Sequence, residues 1–257
     1  VELGLTEGPG DATARAGRID ADTHRIVVVG GDGTVNEVVN GLADPARTPL
    51  VALGTGTANI LAHELGYPYD PEGVARIVES DVIQRLDLGI AGGKRFLAVV
   101  SSGFDALVTR TIAENRTSTL GYLGYARPIL RTLGRYRPPN LTVRVDGEEV
   151  EGGLVIVSNT RNYGGLFTMA DTARCDSGHL DVLVLERATY LPLVRSAIGG
   201  LTGGISRQKG VVHRTGTAIE IASEDEAPVE VDGDYFGSTP IEISMDGRQV
   251  PFVVAPG

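Results

Sequence analysis

The stretch from residue 26 to residue 42, Ile-Val-Val-Val-Gly-Gly-Asp-Gly-Thr-Val-Asn-Glu-Val-Val-Asn-Gly-Leu, constrains the fold more than any other part of the chain. Its four leading apolar residues predict a strand buried on both faces. They run into Gly30, Gly31, Asp32, Gly33 and Thr34. Val35, Val38, Val39 and Leu42 then recur at i, i+3, i+4 and i+7, the spacing of one apolar helix face. Strand, glycine turn and helix in that order leave N–H groups at a helix N-terminus without intrahelical partners, where a phosphate is well stabilised. An Asp among those amides repels a bare phosphate and suits one that carries Mg²⁺. No Gly-x-x-x-x-Gly-Lys-Ser/Thr string occurs, which excludes a Walker A loop, and Asn36 stands where a dinucleotide fingerprint needs its third glycine.

Length and charge narrow the classes. The 257 residues suffice for one large domain or two small ones. A net charge of −10 argues against a general nucleic-acid binder, which needs a basic surface, and against a strongly polybasic membrane anchor. The single cysteine, Cys175, leaves no internal disulfide and suits a reducing cytoplasm. No signal-peptide pattern and no apolar run of transmembrane length is present; the most apolar later stretch, residues 191–205, is broken by Arg195 and by glycines. A soluble, cytoplasmic protein is expected.

Periodicity predicts two domains. Over residues 1–88, strands at 1–5, 26–29, 50–53 and 82–88 alternate with helices at 11–16, 57–65 and 71–79, the pattern of a parallel sheet with helices on its faces. Over residues 89–257, short apolar runs at 96–100, 141–145, 154–157, 180–185, 218–221 and 241–245 are separated by Gly and Asp turns. Helical patterns are confined there to 104–113, the stretch between 119 and 135, and 190–198. That half is expected to be a mostly antiparallel β-sandwich, with a cleft between the two domains.

Four motifs arrive in order. The first is Gly30-Gly31-Asp32-Gly33-Thr34. The second, Gly54-Thr55-Gly56-Thr57-Ala58-Asn59, again follows a strand and opens a helix. Two such turns at the carboxyl ends of parallel strands make the ligand crevice of an open α/β sheet; a local turn with Asn59 capping the helix is the alternative. The third begins at Ser102-Gly103-Phe104-Asp105-Ala106 and continues through Asn162-Tyr163-Gly164-Gly165, Asp171-Thr172-Ala173 and Ser177-Gly178-His179-Leu180-Asp181. The fourth is Val231-Asp232-Gly233-Asp234. Asp-Gly is first of all a hairpin-turn signal, and the other two copies, Asp146-Gly147 and Asp246-Gly247, read as plain turns.

In this order the motifs resemble the diacylglycerol kinase catalytic-domain family, the bacterial diacylglycerol- and sphingoid-type lipid kinases; NAD kinases share the first of them. The resemblance implies an α/β nucleotide-binding domain of the NAD kinase/diacylglycerol kinase type followed by a β-rich lipid-substrate domain. It implies transfer of the ATP γ-phosphate to a hydroxyl of diacylglycerol or a related lipid. It places Gly30, Gly31, Asp32, Gly33, Thr34, Asn36, Gly56, Thr57 and Asn59 at the nucleotide, with Asp32 orienting Mg²⁺ through water. Asp232 then takes the proton of the acceptor hydroxyl with Asp234 in support, and a structural Mg²⁺ sits at Asp176, Ser177 and Leu180 with main-chain carbonyls. A peripheral enzyme on the inner face of the membrane follows, without a nucleic-acid partner, and a homodimer is allowed.

The chain also departs from the family. Gly54 replaces a common Pro, Ile60 an Asp, Asp171 a common Pro, Ser177 an Asp and Asp234 a Glu. Residues 1–5 open without the strand–helix unit, carrying an Asn-Pro-x-x-Gly turn, with which such kinases usually begin. An NAD kinase-like enzyme and a catalytically silent lipid-binding relative therefore stay as alternatives. His24, His63, His179 and His213 share no ligand spacing, and Asp87 and Asp105 are expected as solvated strand-end residues. Arg127, Arg131 and Arg135 recur at i+4 spacing beside Tyr122, Tyr125, Ile129, Leu130 and Leu133. They fit either a stripe resting on lipid or a helix packed on the core with a solvated basic face.

Overall fold

The computed structural model describes residues 1–20, 22–114, 133, 136–163, 167–169, 173–203 and 205–256. The arginine stripe at Arg127, Arg131 and Arg135 lies outside them. Helix α1 (Asp11–Ala16) precedes β1 (Ile26–Gly30); α2 (Asp32–Gly41) leads to β2 (Leu50–Gly54), and α3 (Ile60–Glu64) and α4 (Pro71–Glu79) follow. Local chemistry sets these ends. At α4, Asp70 accepts from the Gly73 N–H and Pro71 fills the first position, where no N–H is needed.

Strands β1 and β2 are parallel, in a register that sets Gly30 beside Gly54. Both glycine turns therefore leave the sheet at the same level. The expected two-sided burial of β1 is not what forms: it is an edge strand, with Val28 buried and Val27 and Val29 43% and 64% exposed. Among the described residues its strand partner is β2 alone, and the face that carries Val27 and Val29 is left exposed. Residues 1–5, expected as a strand, join no ladder, and their alternating Val1, Leu3 and Leu5 are exposed.

Beyond α4 the chain is mostly β: β3 (Ile83–Ala91), β4 (Lys94–Phe96), β5 (Val99–Ser102), α5 (Phe104–Glu114), β6 (Leu141–Val145), β7 (Glu148–Gly152), β8 (Leu154–Ser158), and the short pair β9 (Asn162–Tyr163) and β10 (Phe167–Thr168). Then come β11 (Leu180–Leu185), α6 (Tyr190–Leu201), β12 (Val211–Gly216), β13 (Ala218–Ser223), β14 (Pro228–Val231), β15 (Asp234–Ser238) and β16 (Ile241–Val253). Two sheets result. One runs β1-β2-β16-β13-β6-β7 with β3 beside β16 and β4 beside β3; the other runs β12-β11-β8-β5-β14-β15.

The first sheet is mixed. β2 has parallel neighbours on both sides, β1 and the last turn of β16, while β3 is antiparallel to β16 over most of its length. The expected boundary after residue 88 thus falls inside β3, and the last strand of the chain returns to the first sheet beside β2. Alternating inward residues of the two sheets, among them Val143, Ile221 and Ile243 on one and Val157, Val182 and Val231 on the other, close a sandwich core. A second cluster buries Val35, Val39, Leu50, Ile77 and Phe252 under α1, α2 and α4. A third joins Ile60, Ala98, Val99 and Met169 to Leu193 of α6. Among the described residues no helix is long and apolar enough to cross a membrane.

Asp246-Gly247, expected as a plain turn, is a bulge within β16 instead. Its carboxylate, with the side chain 1% exposed, accepts from Arg95 at 3.2 Å and from Arg248. Arg95 also donates to the carbonyls of Val39 and Leu42, which fastens the end of α2 to β4 and β16. Asp146-Gly147 is the plain turn it was expected to be, closing β6 to β7 with positive φ at both residues. Burial alone would raise the Asp246 pKa, but the bonds from Arg248 and Arg95 outweigh it and hold the carboxyl below the ordinary range. A depressed folded pKa contributes stability above the unfolded Asp value of about 3.9 and loses it as pH falls through the folded value. Replacing Arg95 with Met is expected to cost about 1–2 kcal/mol at neutral pH, because it removes one of the two cations that hold Asp246 and the bonds to the Val39 and Leu42 carbonyls, while Arg248 stays paired. Urea unfolding at pH 7 and pH 3 measures this, and the difference between variant and parent should shrink at the lower pH.

Candidate active site

The two glycine turns touch. The N–H of Thr55 donates to the carbonyl of Gly30 at 2.9 Å, and a Cβ on Gly56 would stand 2.8 Å from the Gly31 Cα. Only glycine permits that approach. Thr34 leans back over Gly30, and nothing lies within 4 Å of the position a Cβ would take on Gly33. The first-turn amides of α2, with Gly31 at its N-cap and no side chain capping it, face this contact.

Asp32 stitches one turn to the other. Its two oxygens accept from the Ile60 N–H at 3.0 Å and the Leu61 N–H at 3.1 Å, capping α3 from 28 residues away. The alternative in which Asn59 caps this helix is therefore not what forms. Asn59 takes a left-handed backbone (φ 45°) and folds back on its own turn, accepting from the Gly56 N–H and donating to the Gly56 carbonyl. That rigidifies the turn bearing Thr57, and α3 begins at Ile60, three residues later than expected.

The hairpin β14–β15 delivers the fourth motif to the same place. Asp232 and Gly233 form its two-residue tip with φ of 50° and 87°, the mirror-image turn that Asp-Gly favours. The Asp232 carboxylate is fully engaged. One oxygen accepts from the Ala98 and Val99 N–H groups at 2.9 Å each, and the other from the Leu97 N–H at 2.9 Å and the Asn36 amide at 2.6 Å. These bonds explain why the run expected as one strand over 96–100 is broken between β4 and β5: its amides turn toward Asp232 instead of a ladder. Burial pushes the Asp232 pKa up, the three amides pull it down, and the charge of Asp32 adds to the upward side. Asp234, two residues on, is exposed; burial of its carboxyl and the charge of Glu37 push its pKa up against the pull of Lys94.

Asn36 is placed differently from expectation. It is buried, its amide donates to Asp232 and to the Arg95 carbonyl, and its oxygen accepts from Asn40, so it clamps the hairpin tip instead of holding a phosphate. Asn40 adds a bond to the same Arg95 carbonyl and accepts the Arg95 N–H. Behind the tip lies an acidic cluster that the sequence reading missed. Glu230 pairs with Ser101 across β14 and β5, is 1% exposed, and accepts the Gly233 N–H at 2.7 Å through one oxygen. Ser101 donates to Asp105 at 2.8 Å. Burial drives both carboxyls upward, Glu230 well above the ordinary range, where the charge of Asp105 adds to the shift. The apolar run 228–231 carries Glu at a single position, and that was the available signal.

Asp87 and Asp105 are not solvated strand ends. Asp87 is buried and accepts the Gly178 N–H at 2.6 Å and the Gln249 amide at 2.8 Å. The residues expected at a structural metal lie on the turn that leads into β11 and at its first position. Asp176 spends both oxygens on Arg174, the Ser177 hydroxyl donates to the His179 carbonyl, and Leu180 is buried in β11. Asp171 and Thr172 lie outside the described residues, and among those described no group of three acidic, His or Cys side chains is arranged to hold a metal.

Comparison with known proteins identifies relatives over both parts of the chain. Residues 1–91 match the diacylglycerol kinase catalytic domain, and residues 98–254 match the YegS C-terminal NAD kinase beta sandwich-like domain. The chain is 28% identical over 233 residues to the diacylglycerol kinase of Bacillus subtilis (strain 168), covering 89% of this chain and 77% of that one. It is 28% identical over 239 residues to the diacylglycerol kinase of Staphylococcus haemolyticus (strain JCSC1435), covering 91% and 72%. The crystal structure of a diacylglycerol kinase from Bacillus anthracis str. Sterne superposes with a TM-score of 0.74 at 26% identity, covering 98% of this chain and 84% of that one. An NAD kinase from Archaeoglobus fulgidus in complex with ATP superposes at 0.51 with 17% identity, covering 90% and 78%, a likeness of fold alone. With a catalytic-domain match over its first part and a YegS-type match over more than half its length, the chain belongs to the diacylglycerol kinase catalytic-domain family.

Proposed function

We propose that the protein transfers the γ-phosphate of ATP to a hydroxyl of diacylglycerol or a related lipid, with Asp234 as the proton acceptor and Asp232 as the residue that positions it. The observation that carries this reading is the 2.6 Å bond between Asn36 and Asp232, which brings the late hairpin onto the helix that follows the first glycine turn. Phosphoryl transfer asks the protein for positioning and charge neutralisation more than for covalent chemistry. The amides at Gly31, Asp32 and Gly33, with Thr34 beside them, and the abutting turn at Gly56 and Thr57 would hold the nucleotide phosphates. Mg²⁺ arriving with the nucleotide suits the acidic side of this contact. Each Asp32 oxygen accepts one amide and keeps capacity for a water of a hydrated ion, and the ion would neutralise phosphate charge.

The expected roles of the two hairpin carboxylates are exchanged in this proposal. Asp232 already accepts four hydrogen bonds and has no free lone pair to offer a substrate proton. Asp234 is exposed beside it, and a pKa raised toward neutrality improves a general base. The acceptor oxygen forms its bond to phosphorus as the bond to ADP breaks, and its proton passes late to Asp234. Because the acceptor is a lipid, the enzyme would work as a peripheral protein at the inner face of a membrane.

The test is transfer of labelled γ-phosphate from Mg·ATP to diacylglycerol and related lipids in mixed micelles, with NAD as a soluble acceptor. Labelled lipid supports the proposal; labelled NAD without labelled lipid overturns it. Replacing Asp234 with Asn should lower kcat by about 10²- to 10⁴-fold while leaving the ATP KM nearly unchanged, as loss of a transition-state interaction does. The parent's rate should rise with pH through a limb above the ordinary Asp value of about 3.9, and that limb should vanish in the variant. Asp232→Asn should lower kcat and thermal stability together, since it removes an acceptor from the amides of residues 97–99.

A further inference from the structure

Helix α6 carries an apolar stripe that nothing described covers. Tyr190, Leu191, Val194, Ile198 and Leu201 fall on one face at helical spacing and are 61%, 75%, 37%, 58% and 60% exposed. The opposite face, with Leu193, Ser196, Gly199 and Gly200, is buried. Single exposed apolar side chains are ordinary, but five along one helix face mark an interaction surface.

The surroundings of the stripe say what it meets. Between Glu186 and Glu220 the sequence contains no Asp or Glu, yet it holds Arg187, Arg195, Arg207, Lys209 and Arg214, in a chain whose net charge is −10. All five cations are exposed, and of them Arg214 pairs with Glu148 at 3.7 Å. Among the described residues Arg195, at the border of the stripe, donates to neutral groups, the Gln208 side chain and the Lys209 carbonyl, and to no carboxylate. An apolar face bordered by cations matches an anionic bilayer, in which apolar side chains enter the acyl boundary and basic ones meet headgroups. A soluble acidic partner would not require a stripe of Leu, Ile and Val.

The buried face of α6 packs toward the candidate site. Leu193, on the buried face of α6, belongs to the apolar cluster that contains Ile60, Ala98 and Val99. The amide of Ile60 binds Asp32, and the amides of Ala98 and Val99 bind Asp232. One packed apolar cluster therefore joins the buried face of α6 to the backbone that frames both motifs.

We propose that α6 is the membrane-docking element of this protein, its Leu191–Ile198–Leu201 stripe seated on an anionic phospholipid surface. The choice of a bilayer as occupant rests on the lipid-kinase reading.

Co-sedimentation of the full chain with vesicles of phosphatidylglycerol and phosphatidylcholine, at several ratios and salt concentrations, tests it. Binding should grow with the phosphatidylglycerol fraction and weaken with salt. Leu191→Ser, Ile198→Ser and Leu201→Ser should each lower the partition coefficient roughly tenfold with the thermal midpoint retained, because all three are surface positions. Arg187→Gln with Lys209→Gln should flatten the dependence on phosphatidylglycerol. Unchanged binding in the serine variants overturns the proposal, as does a parent that ignores vesicles. A parent dimer that the serine variants dissociate would assign the stripe to a second copy of the chain instead. Sedimentation reads docking without turnover. A chain that docks through α6 but phosphorylates nothing refutes the kinase reading alone, and one that phosphorylates lipid yet docks equally well without its stripe refutes the surface alone.

Discussion

The carboxylate of Asp232 takes four hydrogen bonds from two other parts of the chain: three amides at Leu97, Ala98 and Val99, and the side chain of Asn36 on α2. Bonds to an ionised acceptor are each worth about 1.5–3 kcal/mol net, and removing the acceptor would leave several buried donors unpaired at once. The constraint acts in three directions. It breaks the strand between β4 and β5, fixes the β14–β15 tip against the first glycine turn, and through Asn36 ties that tip to α2. The latch of Arg95, Asp246 and Asn40 works beside it on the same helix end.

A division of labour among carboxylates follows. Asp32 and Asp232 act inward: one caps α3 from the first turn, the other gathers amides. Glu230, buried behind the tip, holds the Gly233 N–H and keeps the turn in its left-handed geometry. Only Asp234 remains outward and exposed. A site that binds a polyanion while placing several acids around it is workable because most of those acids are already neutralised by backbone donors.

Much of the fold was legible in the sequence, and the reasons differ by element. Helix α4 appeared where Asp70, Pro71 and its periodicity put it, and β6 and β11 where their apolar runs lay, because those signals are local. The two glycine turns and the Asp232 hairpin were legible as motifs, and their convergence followed from the order of the motifs. The errors share a cause. Asn36, Asp87 and Asp246 each have partners more than 50 residues away, so their roles depend on pairings that no local pattern encodes. The exposed face of β1 was misread because a run of Val signals a strand but not which of its faces finds a neighbour. Likewise the stripe on α6 was visible only as an apolar stretch interrupted by Arg195, since a helix pattern does not say which side will be buried.

Hydrogen–deuterium exchange at the amides of Leu97, Ala98 and Val99, compared between the parent chain and Asp232→Ala, tests the central constraint directly. If Asp232 is the junction described, the parent should protect these amides strongly, and the variant should lose that protection and lower that of α2 around Asn36. Amides in the middle of β8 and β11, remote from the tip, should stay protected. Equal exchange at residues 97–99 in the two proteins would show that something else holds these strands, and would contradict the account.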